Sequence, residues 1–492
     1  MKNLQNRRDF IKSSIIGLSS LSIFGHLANA KMKISGGNKN PNVILIFTDD
    51  LGWNDVGCYG ENRIKTPNID KLARQGMRFT NAHTPTSICT PARFALLTGK
   101  YCWRTPLKTG VVAHKPLLIE PGSFTLPLVF KQGGYKTACI GKWHLGLRSR
   151  SSGKFDPQTH YVPPIEPGPN DIGFDYFFGL PVGHFYPPSV YMENKSIYKY
   201  DPKDPLVLAK SKHGIETGAK AARYEKEEML GDLTKKAVEY INKNKDERFF
   251  LYFAPSAPHD PYAPSKKFKG KSKVGDYGDF VMETDWAVGE IIKSLEKNKI
   301  DNETLIIFTS DNGGENAARD AFKNYNYNPN GKWRGDKGDI YEGGLRIPFI
   351  ARWPGVIKSG QTNQQLFGFN DMLATFAAML GKEIPDGAAP DSYNVYDAFR
   401  GTQNIHSERG LVLNSRGGLY AIIKGKWKYI HGQGKGERVK EGYLTPEQPT
   451  IGQLFDLEND PYESKDLCSQ HPEIVNKMQD LLKDYYVKGK SR

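Results

Sequence analysis

The sequence is short of cysteine: Cys58, Cys89, Cys102, Cys139 and Cys468 are all it has in 492 residues. None forms a Cys-x-x-Cys pair and no two histidines stand as His-x-x-x-His, so the common zinc spacings are excluded. Arginine-rich runs are missing as well, and nucleic acid is therefore not an expected partner despite a formal net charge of +14. No apolar run suits a membrane span: the N-terminal candidate, Ser13 to Phe24, is too short and too rich in serine.

What is present begins with an address. Arg7-Arg8-Asp9-Phe10-Ile11-Lys12, a weakly apolar segment and Ala28-Asn29-Ala30 make an export signal of the twin-arginine pattern, a route for folded proteins. Residues 1–30 are thus expected to be cut off near Ala30, with the twin-arginine export machinery as a partner and a periplasmic or exported mature chain. The signal carries only +3 of the net charge (Lys2, Arg7, Arg8 and Lys12 against Asp9). The remaining excess suits an anionic partner, and with nucleic acid set aside an acidic glycan fits best. Length alone allows about two to three domains.

After a linker (31–41), Asn42-Val-Ile-Leu-Ile-Phe-Thr reads as a buried strand of a parallel sheet and ends on Asp49-Asp50. Thr304-Leu-Ile-Ile-Phe-Thr-Ser repeats the design and ends on Asp311-Asn312. Ligands bind beyond the carboxyl ends of such strands, and four hard oxygen donors brought together there suit Ca²⁺ or, in a tighter shell, Mg²⁺. Between them lies Ser87-Ile-Cys89-Thr-Pro91-Ala-Arg93, followed by Leu97-Thr98-Gly99-Lys100. Thr90 as N-cap, Pro91 at the first helical position and Gly99 just past the end predict a short helix. Cys89 then sits either as plain core or where helix N–H groups favour an anion, with Arg93 one turn on.

Three more segments join an apolar run to polar groups: Gly141-Lys142-Trp143-His144 after Tyr135–Ile140, Pro258-His259-Asp260-Pro261 after Phe249–Ala254, and Lys337-x4-Glu342-Gly-Gly-x-Arg346-x-Pro348. Amphipathic helices are expected over Leu230–Asn242 and Phe280–Leu295. The aperiodic, aromatic-rich stretch Ser149–Ser211 is expected to wall a pocket. From Gly381–Ala389 onward the pattern shifts to short strands (Gly410–Asn414, Leu419–Ile423, Lys426–Ile430), then Leu454–Pro461 and a closing helix. Lys424, Lys426 and Lys428 alternate on one strand face, expected to be solvated or to line a polyanion groove. The chain divides, on this reading, into 42–383 and 384–492.

Together these strings, in this order, resemble the type I (formylglycine-dependent) sulfatases of the alkaline phosphatase superfamily, with Lys100 where that family more often has arginine. The resemblance implies an α/β sandwich, a large mixed sheet flanked by helices, with a smaller C-terminal domain of antiparallel sheet and helix. It implies that a maturation enzyme oxidises Cys89 to formylglycine before folding. That would leave four cysteines, enough for one or two disulfides of unassigned connectivity. It also implies a Ca²⁺ or Mg²⁺ site of Asp49, Asp50, Asp311, Asn312 and the modified Cys89. The aldehyde hydrate would be the nucleophile and Asp311 its base. His259, helped by Lys337, would protonate the leaving alcohol, and Arg93, Lys142 and Lys337 would neutralise the sulfuryl oxygens. His144 would take the second hydroxyl proton to release sulfate. The substrate class implied is a galactose or N-acetylgalactosamine sulfate of a polysaccharide or glycosaminoglycan. A phosphonate or phosphate ester hydrolase, and a non-catalytic glycan-binding relative, are the other readings the motifs admit.

Overall fold

Strand β1 (Asn42–Thr48) turns Val43, Leu45 and Phe47 to one side and Ile44 and Ile46 to the other, all buried. A strand apolar on both faces requires cover on both, and this dictates a sheet between two helical layers. The structure, a computed structural model, describes residues 40–149, 159–208, 216–315, 323–434 and 444–492. The expected signal, most of the linker, and residues 150–158 and 209–211 of the aromatic-rich stretch lie outside the described residues.

The sheet around β1 has ten strands. The others are β2 (Met77–Phe79), β3 (Lys136–Lys142), β4 (Tyr176–Leu180), β5 (Met192–Glu193), β6 (Ser196–Ile197), β7 (Phe249–Ala254), β8 (Thr304–Ser310), β9 (Phe349–Arg352) and β10 (Gln361–Asn363). Their order is β10-β2-β9-β8-β1-β7-β3-β4-β5-β6, and β8-β1-β7-β3-β4 run parallel. Helices α1 (Pro67–Gln75), α4 (Lys226–Lys243) and α5 (Gly275–Lys297) cover the Ile44 face. Helices α2 (Cys89–Thr98), α3 (Leu126–Gln132) and α7 (Met372–Met379) cover the Val43 face. The expected mixed-sheet sandwich is the fold observed. Helices α4 and α5 outrun the spans read from their apolar stripes, and each added N-terminal turn buries one more apolar side chain, Met229 in α4 and Tyr277 in α5.

A second sheet, antiparallel, joins β11 (Leu411–Asn414), β12 (Tyr420–Lys424), β13 (Trp427–His431) and β14 (Gln453–Asp456). Helix α8 (Pro472–Val487) packs Met478 and Leu482 against its Val412, Ile422 and Tyr429 face. The opposite face packs on Ile340, Tyr341 and Leu345, the last in the short helix α6 (Glu342–Leu345). Residues Asn40–Arg492 form one compact unit. All five cysteines are free, so none of them is tied in a disulfide.

The lysine row of the second sheet is not what its alternation suggests. Lys424 and Lys426 reach Glu408 and Asp456 near the surface, but Lys428 is fully buried, 2.9 Å from Glu342 and 2.8 Å from Glu463. Glu342 also takes His83 Nε2 at 2.9 Å and Arg346 Nε at 2.8 Å. Burial opposes ionisation of Glu342, yet Lys428, His83 and Arg346 hold its carboxyl well below the usual range. Period-two alternation reports which side a residue faces, not whether that side is wet. Removing the shared cation leaves buried Glu463 without its lysine and Glu342 with Arg346 and His83 alone. Lys428→Met is therefore expected to cost about 3–5 kcal/mol in urea unfolding, whereas Lys424→Ala stays within about 0.5 kcal/mol.

Candidate active site

The parallel register carries the site. Thr48 of β1 pairs with Ser310 of β8, so the residues that follow, Asp49-Asp50 and Asp311-Asn312, leave the sheet side by side. Asp311 N–H donates to Thr48 O and Asp49 N–H to Ala257 O, both at 3.0 Å, which locks the strand ends together. Lys142 is the last residue of β3, His144 lies two beyond it, and Ser256 and His259 follow β7. Asp50 (φ 62°) and His144 (φ 56°) take left-handed backbone, which lets the chain reverse at once on leaving the strand. Asp and His tolerate that region better than most residues.

Helix α2 points its start at these ends. It begins at Cys89 itself, capped by extended Ile88, and stops at left-handed Gly99 (φ 62°), whose N–H donates to Ala95 O at 2.9 Å. The expected Thr90 cap is thereby corrected. Thr90 is inside the helix, and its hydroxyl donates to His144 O at 2.8 Å and accepts from Val112 N–H at 3.1 Å. Tertiary partners displaced the local cap. The hydroxyl instead ties the helix to the turn carrying His144.

Three acids and three bases interlock in the space so enclosed. Lys142 Nζ lies 2.8 and 2.7 Å from the two oxygens of Asp49. Arg93 Nη2 bridges Asp49 at 3.2 Å and Asp311 at 2.8 Å. Asp50 accepts from Lys337 Nζ at 2.5 Å and from Asn312 Nδ2 at 2.8 Å, while its N–H donates to Asp311 Oδ1 at 3.1 Å. His259 Nε2 sits 3.0 Å from Lys337 Nζ and 3.5 Å from Asp50 Oδ2. Burial pushes the Asp311 carboxyl up to about 7, with Asp49 adding to it against Arg93. Burial holds His259 down near 3, hence neutral. Burial also pushes the Cys89 thiol up to about 12, so the unmodified side chain is not a thiolate nucleophile.

Every catalytic residue expected from the sequence falls in this cluster. Asp49, Asp50, Cys89 and His259 each offer a ligand atom within 4.8 Å of the others, a grouping able to hold a metal ion. His259, expected from the sequence to serve in proton transfer, joins this grouping through space. Asp311 and Asn312 stand beside the group. Asn312 Oδ1 is buried with no hydrogen-bond partner among the described residues, and the two ring nitrogens of buried His144 have none either.

Sequence reasoning missed four contributors. Ser256 Oγ donates to Asp49 Oδ2 at 3.2 Å and is itself 3.0 Å from His184 Nδ1. Phe185 stacks on His259 at 4.1 Å between centroids and lies 4.7 Å from Lys142 Nζ. Tyr252 O–H lies 3.4 Å from Arg93 Nη1. Ser256 carries the same sequence signal as its neighbours, a polar group just past an apolar strand. His184 and Phe185 come from the aromatic-rich stretch expected to wall the pocket, but no spacing singles them out.

Comparison with known proteins agrees with this geometry. The sulfatase family model matches residues 41–382. The chain is 36% identical to an N-acetylgalactosamine-6-O-sulfatase of Bacteroides thetaiotaomicron, over 92% of this chain and 95% of that protein. It is 33% identical to an N-acetylgalactosamine-6-sulfatase of Sus scrofa, over 82% of this chain and 74% of that one. A solved structure from work on the metabolism of multiple glycosaminoglycans by Bacteroides thetaiotaomicron superposes with a TM-score of 0.81 at 34% identity, covering 90% of this chain and 99% of that one. With Cys89 heading a buried helix among the ends of parallel strands, and with this extent of likeness, the chain belongs to the sulfatase family and is a sulfuric ester hydrolase.

Proposed function

We propose that the enzyme removes the 6-O-sulfate from N-acetylgalactosamine, or from the like-configured galactose, in a sulfated polysaccharide or glycosaminoglycan. The names borne by its bacterial and porcine relatives support the sugar and the position. The observation that carries the chemistry is the packing of Arg93, Lys142, Lys337, His144 and His259 around the first residue of α2. Formylglycine at position 89 would supply, as its hydrate, an oxygen nucleophile and a second hydroxyl for release of sulfate.

The chain's own groups divide the remaining work. Arg93, Lys142 and Lys337 present positive charge to the sulfuryl oxygens as charge gathers there, in a space that excludes bulk water. Asp311, whose carboxyl burial pushes up to about 7, accepts the proton of the attacking hydroxyl. His259, held flat by Phe185 and within 3.0 Å of Lys337 Nζ, passes a proton from the lysine side to the departing sugar oxygen. His144 has both ring nitrogens uncommitted for the proton that must leave at release.

Asp49, Asp50, Asp311 and Asn312 are proposed to hold Ca²⁺, or Mg²⁺, with the modified residue 89. The uncommitted Asn312 oxygen and the all-oxygen donor set fit a hard cation. Three carboxylates already balance three basic side chains here, so a bound dication leaves the pocket net positive and suited to an anionic ester. Cys89 is 2% exposed, so a maturation enzyme would have to act on the chain before it folds. Export by the twin-arginine route, which accepts folded proteins, fits that order of events. No helix among the described residues is long and apolar enough to cross a membrane.

Mass spectrometry of the Ser87–Lys100 peptide, from a host able to make formylglycine, is expected to find a lighter, aldehyde-reactive residue 89. The same protein is expected to desulfate N-acetylgalactosamine 6-sulfate and to leave the 4-sulfate intact; the reverse preference sinks the assignment of position. Lys142→Ala is expected to lower kcat about 10²–10³-fold. Calorimetric titration of the metal-free protein should show Ca²⁺ binding weakened about tenfold or more in Asn312→Ala, and equal affinity in both proteins removes Asn312 from the site.

A further inference from the structure

A second concave surface borders the loops that build the active site. It is a cleft of about 920 Å³ whose walls include Trp53, Tyr59, Trp333, Tyr462, Arg63 and Lys332. Four aromatic rings run through it in series. Trp53 and Tyr59 have centroids 4.5 Å apart, Trp53 and Trp333 5.6 Å, and Trp333 and Tyr462 5.3 Å. Both tryptophans are half-buried and Tyr462 is 42% exposed.

The cleft is built rather than incidental. The turn carrying Trp53 is pinned by buried Asp55, which accepts from Gly52 N–H at 2.7 Å, from Tyr327 O–H at 2.9 Å and from Tyr277 O–H. Arg346 lies 4.5 Å from the Trp333 ring and backs it from the protein side. Asn330 fixes the opposite loop, its amide donating to Gly314 O at 2.9 Å and accepting from Gly314 N–H at 2.8 Å. Trp53 follows Asp50 by three residues and Trp333 precedes Lys337 by four, so the chain segments that hold the catalytic groups also hold the rings.

The chemistry of the walls selects a class of ligand. The rings meet edge to face or tilted, at 66°, 80° and 56°, so the exposed Tyr462 ring and the open parts of the half-buried tryptophans offer the apolar area that suits the C–H surfaces of a ligand. Galacto-configured sugars present such a surface on the side of the C3, C4 and C5 hydrogens. No hydrogen bond engages the Trp53 and Trp333 indole N–H groups within the described structure, leaving them for hydroxyls. Charge is sparse: Glu61 and Arg63 pair at 2.9 Å, and Lys332 is the cation left over on the cleft wall. A dense polyanion has little to meet here, whereas a saccharide rich in hydroxyls with at most an isolated sulfate has a great deal.

We infer that this cleft is a carbohydrate-binding site, separate from the catalytic pocket, which holds a sulfate-poor or already desulfated stretch of the glycan chain on which the enzyme acts. The inference rests on the glycan reading of the substrate. It makes the enzyme one that works better on chains than on single sugars.

The probe is an unsulfated tetrasaccharide containing N-acetylgalactosamine, which cannot be turned over, titrated into the full-length protein and followed by calorimetry. Tyr462→Ala, at an exposed ring, and Trp333→Ala are compared with the wild type, and circular dichroism checks folding. Binding to the wild type that weakens about fivefold or more in Tyr462→Ala supports the site. So does a rise of similar size in KM on the sulfated tetrasaccharide, with kcat/KM on the sulfated monosaccharide unchanged. A wild type that does not bind the probe, or a folded Tyr462→Ala variant with unaltered binding and unaltered KM, overturns it. These results separate the two readings: failure to desulfate the monosaccharide strikes the proposed substrate, and an inert cleft on an active sulfatase strikes only this inference.

Discussion

The structure depends on a buried network of opposite charges at the carboxyl edge of its parallel sheet. Asp49 takes Lys142 and Arg93, Asp311 takes Arg93, and Asp50 takes Lys337, almost entirely out of water. Taking each ion from water costs about several kcal/mol, and only close pairing in the low-dielectric interior offsets it. The network is therefore not the most stable way to fill the space. Its members come from β1, α2, β3, β8 and the loop before α6, and they meet only when all are in register. A site assembled this way has little freedom to rearrange, which suits electrostatic work on a sulfate ester.

Around that network the second sheet acts as a brace. Asn414, at the end of β11, accepts from Ser87 N–H at 3.2 Å and donates its own N–H to Pro85 O at 2.9 Å. Gly338 N–H donates to Ser87 O at 2.9 Å, and Arg416 N–H donates to Gly338 O at 3.0 Å. The segments preceding Cys89 and following Lys337 are thus stitched to each other and to the antiparallel sheet. Glu342, five residues past Lys337, is anchored by Lys428 from β13. Packing of the second sheet and geometry of the catalytic loops are one structural problem.

Much of the site was legible because its residues sit at sequence positions that chemistry marks. Asp49-Asp50 and Asp311-Asn312 end unbroken apolar runs, and polar groups so placed must emerge at a sheet edge. Residues brought in by packing alone carried no mark. Phe185 over His259, Ser256 beside Asp49 and Tyr252 beside Arg93 belong to segments whose periodicity says only that they are buried. Thr90 and Lys428 show the limit from the other side. Thr90 has cap chemistry but spends its hydroxyl on His144, and Lys428 follows a solvent-facing pattern but meets two glutamates in the core.

By itself the sequence determined the kind of fold and the inventory of the site. Apolar runs of strand length alternating with amphipathic helices admit only a sheet covered on both faces, and the order of the motifs marks the residues proposed to react. The tertiary structure alone decided which group faces which: that Arg93 spans two carboxylates, that His259 stands among the candidate metal ligands, and that four rings from three distant segments align in one cleft. Hydrophobic periodicity is a property of neighbours along the chain. Pairing of charges and stacking of rings are properties of distance in space, and those distances exist only once the register of β1 on β8 is set.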